Sequence, residues 1–509
     1  LIFYSLTGQC LIPHPASIDY TQEYYRLPSD VEVQHNAPYC FTLHAAIKRL
    51  LGSFNLKHLV GNVTKPFAGN ITRLILNVSS ECDELSQVLY PTEDSKEAYN
   101  VSIRNGTILI TAPEVWGAMY GLTTVAQLVN ITDGRGNYLP GVKISDFPRW
   151  PFRSFLIDSS RHFLPLENIL QFLDAMATVK MNVLHWHIVD DTSFPYESYT
   201  FPKLSAKGAY SRSYATYTQK DVQIIIEHAR SLGIRVIPEF DTPGHTLSWG
   251  LGYPNLLTAC HMKDKPEEPF GPFNPTKNTT YDFMGELVKE ILKVFPGDAI
   301  HLGGDEVDHK CWQSNPDIRE FMQKMGYGTD YSKLENYYIS NLLKKTKEVT
   351  GKEIKAYVWQ EVFDNKAELG RSVIINVWKS PFWRNELDLV TKSGREVVFS
   401  ACWYLDYIKY AEDWIEYYRC DPASFTNNTA QLALLKGGGA AMWGEFVDGT
   451  NLISRSWPRG AVVAERTWSP ASIKDVDDMR TRLRNYRCFL LSMGLNAEPS
   501  TGPGYCNLI

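Results

Sequence analysis

The chain of 509 residues carries a formal net charge of -6, with 44% hydrophobic and 21% charged residues. That length exceeds the size at which one hydrophobic core stops growing, so two domains are expected. The composition is typical of a globular protein. The sequence contains no apolar run of eighteen residues that would predict a transmembrane helix, and its negative net charge gives no basic field for a nucleic-acid partner.

Residues 1–147 are predicted to form a small α+β domain with an antiparallel sheet. Short apolar runs alternate here with turn signals, and Asn105-Gly106 is a dipeptide that a type I′ hairpin favours because both positions need φ > 0. Pro148 and Pro151 interrupt the pattern, so the boundary is predicted after residue 147. The predicted elements are strands over Arg73–Val78, Asn100–Arg104 and Thr107–Thr111 and a helix over Trp116–Val129.

Residues 148–509 alternate strand-like runs with helical segments, which is typical of a parallel sheet built from βα units. Thr218 to Asp221 is a capping sequence that opens one of the helices, and Gly233 ends it. Eight such units predict a catalytic (β/α)8 TIM barrel with a C-terminal helix. The predicted strands are Phe155–Asp158, Asn182–Ile188, Arg235–Phe240, Ala299–Gly303, Ala356–Gln360, Val373–Trp378, Glu396–Ala401 and Gly439–Trp443.

The carboxyl ends of these strands carry acids and aromatic rings. A TIM barrel places its active site at these ends. All eight bear an acid or an indole ring, which core packing would not require, so one mouth is predicted to hold them all. In chain order the ends give Asp158 with Arg161 and His162; His185, Trp186 and His187 with Asp190 and Asp191; Glu239, Asp241 and His245; Asp305 and Glu306; Trp359 and Glu361; Trp378; Tyr404 and Asp406; Trp443 and Glu445.

The sharpest local signal is Gly303-Gly304-Asp305-Glu306. Adjacent residues on a strand point to opposite faces, so both carboxyl groups reach one site only if the chain bends, which the glycines permit. Two acids held close do not ionise together easily, so one is expected to have a raised pKa and to donate a proton. A glycosidase needs such an acid, whereas an exposed turn is the alternative explanation.

Sequons and cysteines predict the compartment. Eight Asn-x-Ser/Thr sequons favour a glycosylated protein of the secretory pathway, and nine cysteines agree because disulfides persist where the milieu is oxidising. The sequon asparagines are Asn62, Asn70, Asn77, Asn100, Asn105, Asn130, Asn278 and Asn427. Plausible disulfides are Cys40–Cys82, Cys260–Cys311 and Cys488–Cys506, with Cys402–Cys420 as a candidate fourth pair that would leave Cys10 odd, although sequence does not fix connectivity. No two cysteines have the C-x-x-C spacing of a zinc site, so no structural metal is predicted.

The chain resembles the family 20 glycoside hydrolases, specifically the lysosomal-type animal β-N-acetylhexosaminidases. The motifs that carry the resemblance are long and spread over the whole barrel, and the preceding domain is similar too. They are Asp158-Ser-Ser-Arg-His162, Leu184-His-Trp-His-Ile-Val-Asp-Asp191, Glu239-Phe-Asp-Thr-Pro-Gly-His245, the Gly-Gly-Asp-Glu core, Val358-Trp-Gln-Glu361, Trp403-Tyr-Leu-Asp406 and Trp443-Gly-Glu445.

The resemblance implies a retaining exo-glycosidase that releases terminal β-linked N-acetylglucosamine or N-acetylgalactosamine through an oxazolinium intermediate, without a cofactor or metal. Glu306 would be the general acid and then the base, Asp305 would bind the acetamido N–H, and Tyr404 would hold the acetamido oxygen. Trp359, Trp378 and Trp443 would enclose the sugar, Arg161, Asp190 and Glu445 would bind its hydroxyls, and His245 would orient and charge the acid. The family also implies a dimer and a glycan, glycoconjugate or chito-oligosaccharide substrate.

Two positions depart from the family pattern. Where the subunit that handles anionic sugars has Asn followed by Arg, this chain has Asp406 and Tyr407. A carboxylate there would repel a 6-sulfate or a sialic acid, so neutral substrates are predicted. Cys402, just before Trp403, leaves the local disulfide pattern open.

Two other functions are considered. His185 and His187 on one strand face would suit a metal-dependent amidohydrolase, but later strand ends supply aromatic rings instead of further ligands. A sugar-binding barrel without turnover is the other alternative, against which the intact acids and tyrosine argue. The sequence leaves open the choice of epimer, the natural substrate, the oligomeric state, and lysosomal against extracellular localisation.

Overall fold

The computed structural model describes residues 11–54, 67–132, 136–262, 265–267, 270–297, 299–407 and 409–506. Within these ranges no helix combines the length and apolarity that a membrane crossing requires. The predictions for Cys10 and Asn62 lie outside the described residues.

The first unit is a mixed sheet with two helices on one face. Its strands run in the order β2-β4-β6-β5-β8-β1-β3, with β7 paired to β8, and parallel as well as antiparallel neighbours occur. Asn105 and Gly106 have φ of 50° and 69°, as the predicted type I′ turn requires. The elements are β1 (Ser17–Arg26), β2 (Glu32–His35), α1 (Phe41–Ser53), β3 (Gly69–Asn70), β4 (Arg73–Val78), β5 (Tyr99–Arg104), β6 (Thr107–Ala112), α2 (Val115–Leu128), β7 (Asn130–Thr132) and β8 (Gly136–Asp146).

The second unit is a closed barrel of eight parallel strands, which confirms the predicted TIM barrel. Most of its strands are buried on both faces, because helices cover the outside and side chains fill the interior. The barrel strands are β9 (Phe152–Asp158), β10 (Val183–Val189), β11 (Arg235–Phe240), β14 (Ala299–His301), β15 (Lys355–Trp359), β16 (Val373–Val377), β17 (Val397–Phe399) and β18 (Leu435–Met442), while β12 (Cys260–Met262) and β13 (Lys265–Glu267) form a separate hairpin.

Helices surround the barrel and the last of them, α17, is the C-terminal helix. Thr218 and Asp221 form a reciprocal capping box at the start of α5, and α10 ends at Gly351, whose φ is 70°. The helices are α3 (Leu166–Thr178), α4 (Lys203–Gly208), α5 (Gln219–Ser231), α6 (Leu247–Gly252), α7 (Asn278–Val294), α8 (His309–Ser314), α9 (Pro316–Lys324), α10 (Ser332–Thr350), α11 (Gln360–Asp364), α12 (Trp383–Lys392), α13 (Trp414–Arg419), α14 (Thr429–Leu432), α15 (Leu452–Ser456), α16 (Arg459–Trp468) and α17 (Val476–Ser492).

Strand β18 starts four residues earlier than predicted, because its glycines make a close approach to neighbouring strands. A Cβ on Gly439 would lie 1.8 Å from Ser154 Oγ, and one on Gly438 would lie 2.1 Å from Phe399 O. Glycine lowers strand propensity, so the sequence predicted no strand before residue 439. Because glycine has no side chain, β17, β18 and β9 can approach closely enough to close the barrel here.

Buried charges join the two units. Arg153 at the start of the barrel pairs with Glu97 of the first unit through two contacts of 2.8 and 2.9 Å, and the arginine side chain is fully buried. Trp468 donates its indole N–H to Asp146 at 3.0 Å. These contacts fix the first unit on the N-terminal end of the barrel, opposite the strand ends that hold the predicted site.

Four disulfides are present in the described part of the chain. The three plausible pairs, Cys40–Cys82, Cys260–Cys311 and Cys488–Cys506, are confirmed. Cys402 bonds Cys420, with their Cα atoms 6.4 Å apart, which settles the question left open at this position.

Six of the predicted glycosylation sites are exposed, namely Asn70, Asn77, Asn100, Asn105, Asn278 and Asn427. The structure contradicts the glycosylation predicted at Asn130. Its side chain is 4% exposed and its Nδ2 donates to Leu128 O at 2.7 Å, so the nitrogen that would carry a glycan is occupied inside the protein.

Candidate active site

The bend after β14 is built by the two glycines. Gly303 and Gly304 have φ of 69° and 99°, a region that residues with a Cβ rarely adopt. A Cβ on Gly303 would lie 1.6 Å from Asp241 Oδ1, and the Gly304 N–H donates to that oxygen at 2.8 Å. The chain therefore leaves the strand at His301, two residues before the predicted end, and presents Asp305 and Glu306 at the barrel mouth.

Asp305 lies inside the pocket and Glu306 at its rim. Asp305 is 8% exposed, whereas Glu306 is exposed and holds a φ of 49°, which is strained for a residue with a side chain. Burial and the Asp305 charge hold the pKa of Asp241, the residue that follows β11, well above its usual range. The acid on which the Asp305 charge acts thus comes from a separate strand end.

Four aromatic rings line the pocket and are called the aromatic box: Trp359, Trp378, Tyr404 and Trp443. Their neighbouring ring centroids lie 6.0 to 6.4 Å apart. Trp359 and Tyr404 are almost fully buried, and Trp378 and Trp443 are half-buried. The indoles of Trp359 and Trp378 donate to Glu239 at 2.7 Å and to Glu361 at 2.9 Å, so carboxylates fix both rings from behind.

A charged wall stands beside the aromatic box. Arg161 contacts Asp158 and Asp190, each at 2.9 Å, and its guanidinium lies 5.1 Å from the centre of the Trp443 ring. Asp190 also accepts from His187 Nε2 at 2.8 Å. Although burial opposes it, the hydrogen bonds from His187 and His245 keep the pKa of Asp190 below its usual range. An ordered cation and anion are thus offered side by side at the pocket wall.

His245 joins the wall to Asp305. Its Nδ1 lies 3.3 Å from Asp190 Oδ1, and its Nε2 lies 3.8 Å from Asp305 Oδ2 and 4.0 Å from Asp241 Oδ2. Burial disfavours the charged imidazole, but the hydrogen bond to Asp190 and the charge of Asp305 outweigh it and raise the pKa of His245 to about 9. A positive charge therefore sits among the three acids.

Glu361, Asp406 and Glu445 add acids around the box. Burial and the nearby Asp305 raise the pKa of Glu361 to about 6. Burial, with Glu445 adding to it, raises the pKa of Asp406 to about 6. Glu445 itself is exposed. Tyr407, next to Asp406, stacks on Tyr404 at 5.7 Å and is 58% exposed.

The histidine pair that suggested a metal enzyme has a different arrangement. His185 Nε2 lies 2.7 Å from Glu239 Oε2. Two ligands of a tetrahedral zinc with bonds near 2.0–2.1 Å would lie about 3.3 Å apart, so the shorter spacing here is that of two side chains in direct contact. The pocket end of the barrel thus provides acids, a cation and aromatic rings.

Asp158, His187 and Glu239 were predicted at strand ends without a role in a hydrolase site, and His187 was considered only as a metal ligand. His187 pairs with Glu239 in the register of β10 and β11, so both side chains point into the barrel at the same level. Period-2 alternation with His185 was the available signal. Their contacts depend on neighbouring strands far apart in sequence.

An acid on a strained bend, a buried second acid and an aromatic box at the end of a TIM barrel define a glycoside hydrolase, as comparison with known proteins bears out. The models of the glycosyl hydrolase family 20 catalytic domain and domain 2 match residues 150–471 and 9–147. The chain belongs to glycosyl hydrolase family 20.

Relatives and solved structures agree over nearly the whole chain. The human beta-hexosaminidase subunit beta is 45% identical over 98% of this chain and 90% of its own length. The bovine subunit alpha is 48% identical over 86% of this chain and 81% of its own. The structure of Flavobacterium johnsoniae chitobiase superposes with a TM-score of 0.83 at 29% identity, covering 96% of this chain and 73% of that one.

Proposed function

We propose that this enzyme is a retaining exo-β-N-acetylhexosaminidase in which the substrate's own acetamido group is the nucleophile. The observation that carries the proposal is the aromatic box with the buried Asp305 next to it: burial and the Asp305 charge raise the pKa of Tyr404, and Glu306 follows Asp305 on the bend after β14. An apolar box suits the acetamido methyl, and the buried acid suits the N–H.

The first step breaks the glycosidic bond. Glu306 donates its proton to the leaving oxygen while the acetamido carbonyl oxygen attacks the anomeric carbon, forming a cyclic oxazolinium ion. Asp305 accepts the acetamido N–H and balances the positive charge of the ring. The Tyr404 hydroxyl donates to the carbonyl oxygen and orients it toward the anomeric carbon. This orientation lowers the entropic part of the activation barrier.

The second step reopens the ring. Glu306, now a carboxylate, takes a proton from water while the water oxygen bonds to the anomeric carbon and the ring C–O bond breaks. Two inversions at one carbon give net retention. Burial of Asp305 strengthens its interaction with the cation, because the low local dielectric screens little.

Sugar hydroxyls are assigned to the charged wall and rim. Arg161, Asp190 and Glu445 donate to or accept from them, since charged groups form the stronger hydrogen bonds. The terminal sugar would stack on the three indoles of the aromatic box, whose faces suit its C–H groups. His245 is proposed to set the charge of the acids. Asp406 would exclude an anionic group at position 6.

The Glu306→Gln variant tests the assignment. It should lose at least about a thousandfold in kcat on substrates with poor leaving groups, yet retain more on activated aryl glycosides, which need little acid assistance. A de-N-acetylated aryl glycoside should not be hydrolysed by the native enzyme. Capture of a glycosyl ester on a protein carboxylate, or unchanged rates for Glu306→Gln, would overturn the mechanism.

Compartment and assembly form a second part of the proposal. The exposed sequons and four disulfides support a secretory-pathway protein, lysosomal or extracellular. The two family models, which match residues 9–147 and 150–471, support a domain boundary after residue 147. The word "subunit" in the relatives' names supports a dimer. Light scattering of the secreted protein before and after glycan removal measures the mass of the assembly and its glycan content. A monomer would contradict the dimer, and an unchanged mass would contradict glycosylation in the secretory pathway.

A further inference from the structure

A buried carboxylate beneath the sugar-binding site contacts several of the side chains that line or support that site. Glu239, at the end of β11, is fully buried and so cannot touch a substrate. Its Oε1 accepts the Trp359 indole N–H at 2.7 Å. Its Oε2 lies 2.7 Å from His185 Nε2 and 3.0 Å from His187 Nδ1. The pKa of Glu239 lies well below its usual range: burial opposes the charge, but the surrounding histidines outweigh it.

His187 lies between two carboxylates. Its Nε2 bonds Asp190 at 2.8 Å, while its Nδ1 faces Glu239 at 3.0 Å. A neutral imidazole has one N–H, so its bare nitrogen would point a lone pair at a carboxylate oxygen. The ring is therefore an imidazolium: burial disfavours the charge, but Glu239 and the bond to Asp190 raise the pKa of His187 to about 10.

His301 and Trp359, which also contact Glu239, do not carry this positive charge. His301 Nδ1, 3.4 Å from Glu239, accepts the Gly303 N–H, and burial lowers the pKa of His301 to about 3. Trp359 is uncharged. In the described part of the chain, the other charged groups around His187 and Asp190 are Asp158 at the end of β9, Arg161 from the loop after β9, and Asp241 and His245 from the loop after β11.

We propose that Glu239 is a positioning residue for the hydrolytic reaction, acting on the pocket from below in two ways. Its negative charge keeps His187 protonated, and the imidazolium holds Asp190 in place against Arg161 and His245. The same carboxylate fixes the Trp359 ring that floors the box. This inference rests on the proposed hydrolysis of N-acetylhexosaminides.

The pH dependence of the Glu239→Gln variant tests the inference. Glutamine keeps the size and an acceptor for the Trp359 indole but removes the charge. His187 should then titrate within the working range, so log kcat/KM should show an additional inflection between about pH 5 and 8, beyond any that Glu361 and Asp406 give in the native enzyme. Above the inflection kcat/KM should fall about tenfold, the difference between a charged and a neutral hydrogen bond to Asp190.

Two variants separate positioning from a general loss of packing. Glu239→Asp retains the charge and should show no new inflection, even if its overall rate falls. Glu290→Gln is the matched control, because Glu290 is 2% exposed and accepts bonds from Tyr196 and Ser198 in the barrel wall. It should lower thermal stability without changing the pH profile.

The outcomes distinguish this inference from the proposed function. A native enzyme that cleaves N-acetylglucosaminides and loses turnover in Glu306→Gln retains the function. If Glu239→Gln then shows the native pH profile, or the same profile as Glu239→Asp, the inference is wrong. If the native enzyme does not cleave these substrates, the proposed function is wrong, whatever the pH profile of Glu239→Gln.

Discussion

Discrimination against anionic sugars should depend on pH through Asp406. Its pKa is raised to about 6 by burial, with Glu445 adding to the shift. At pH 4.5 about 3% of Asp406 is ionised and at pH 7.5 about 97%, whereas a sulfate ester is ionised at both. The enzyme should therefore accept a 6-sulfated substrate better on the acid side.

The expected size follows from the charge. Two unit charges about 5 Å apart at an effective dielectric constant near 20 repel by about 3 kcal/mol, which corresponds to a factor of about 100. Salt at about 0.15 M and the exposed part of the site lower this, so a change of at least about tenfold is expected.

The assay compares kcat/KM for an aryl N-acetylglucosaminide with that for its 6-sulfate at pH 4.5 and 7.5. In the native enzyme the neutral-to-sulfated ratio should rise with pH. In Asp406→Asn the ratio should be smaller and nearly flat, with only exposed Glu445 opposing the sulfate. A native ratio that does not change with pH, or one that rises equally in Asp406→Asn, would refute the reasoning.

Three further predictions concern the site and its support. Tyr404→Phe should lower kcat about a hundredfold on N-acetylated substrates with little change in KM, because it removes one donor to the oxygen that attacks. Arg153→Met should lower the free energy of unfolding by about 3–5 kcal/mol in denaturant titrations, because it leaves Glu97 charged and buried, and Glu97→Leu in the same chain should restore much of it. Replacing Cys402 and Cys420 with serine should cost about 3 kcal/mol, as expected for a loop of 18 residues, and should raise sensitivity to thermal inactivation.

Local chemistry was enough to predict most of the fold. Alternating apolar strands and capped helices predicted the barrel, and Asn105-Gly106 predicted the hairpin turn, because these signals depend on neighbours in the sequence. The β18 glycines were the exception at strand level. Their lack of side chains disfavours a strand by propensity, yet the barrel requires it at close contacts with Phe399 and Ser154.

The candidate site divides in the same way. The sequence by itself determined which acids and rings stand at the strand ends, since strand direction fixes the barrel face on which they emerge. Only the tertiary structure decided which of them act on one another: the charge of Asp305 acts on Asp241, and Glu239 accepts the Trp359 indole N–H. Distance between side chains on separate strands depends on barrel closure, and both hydrogen bonding and pKa depend steeply on that distance.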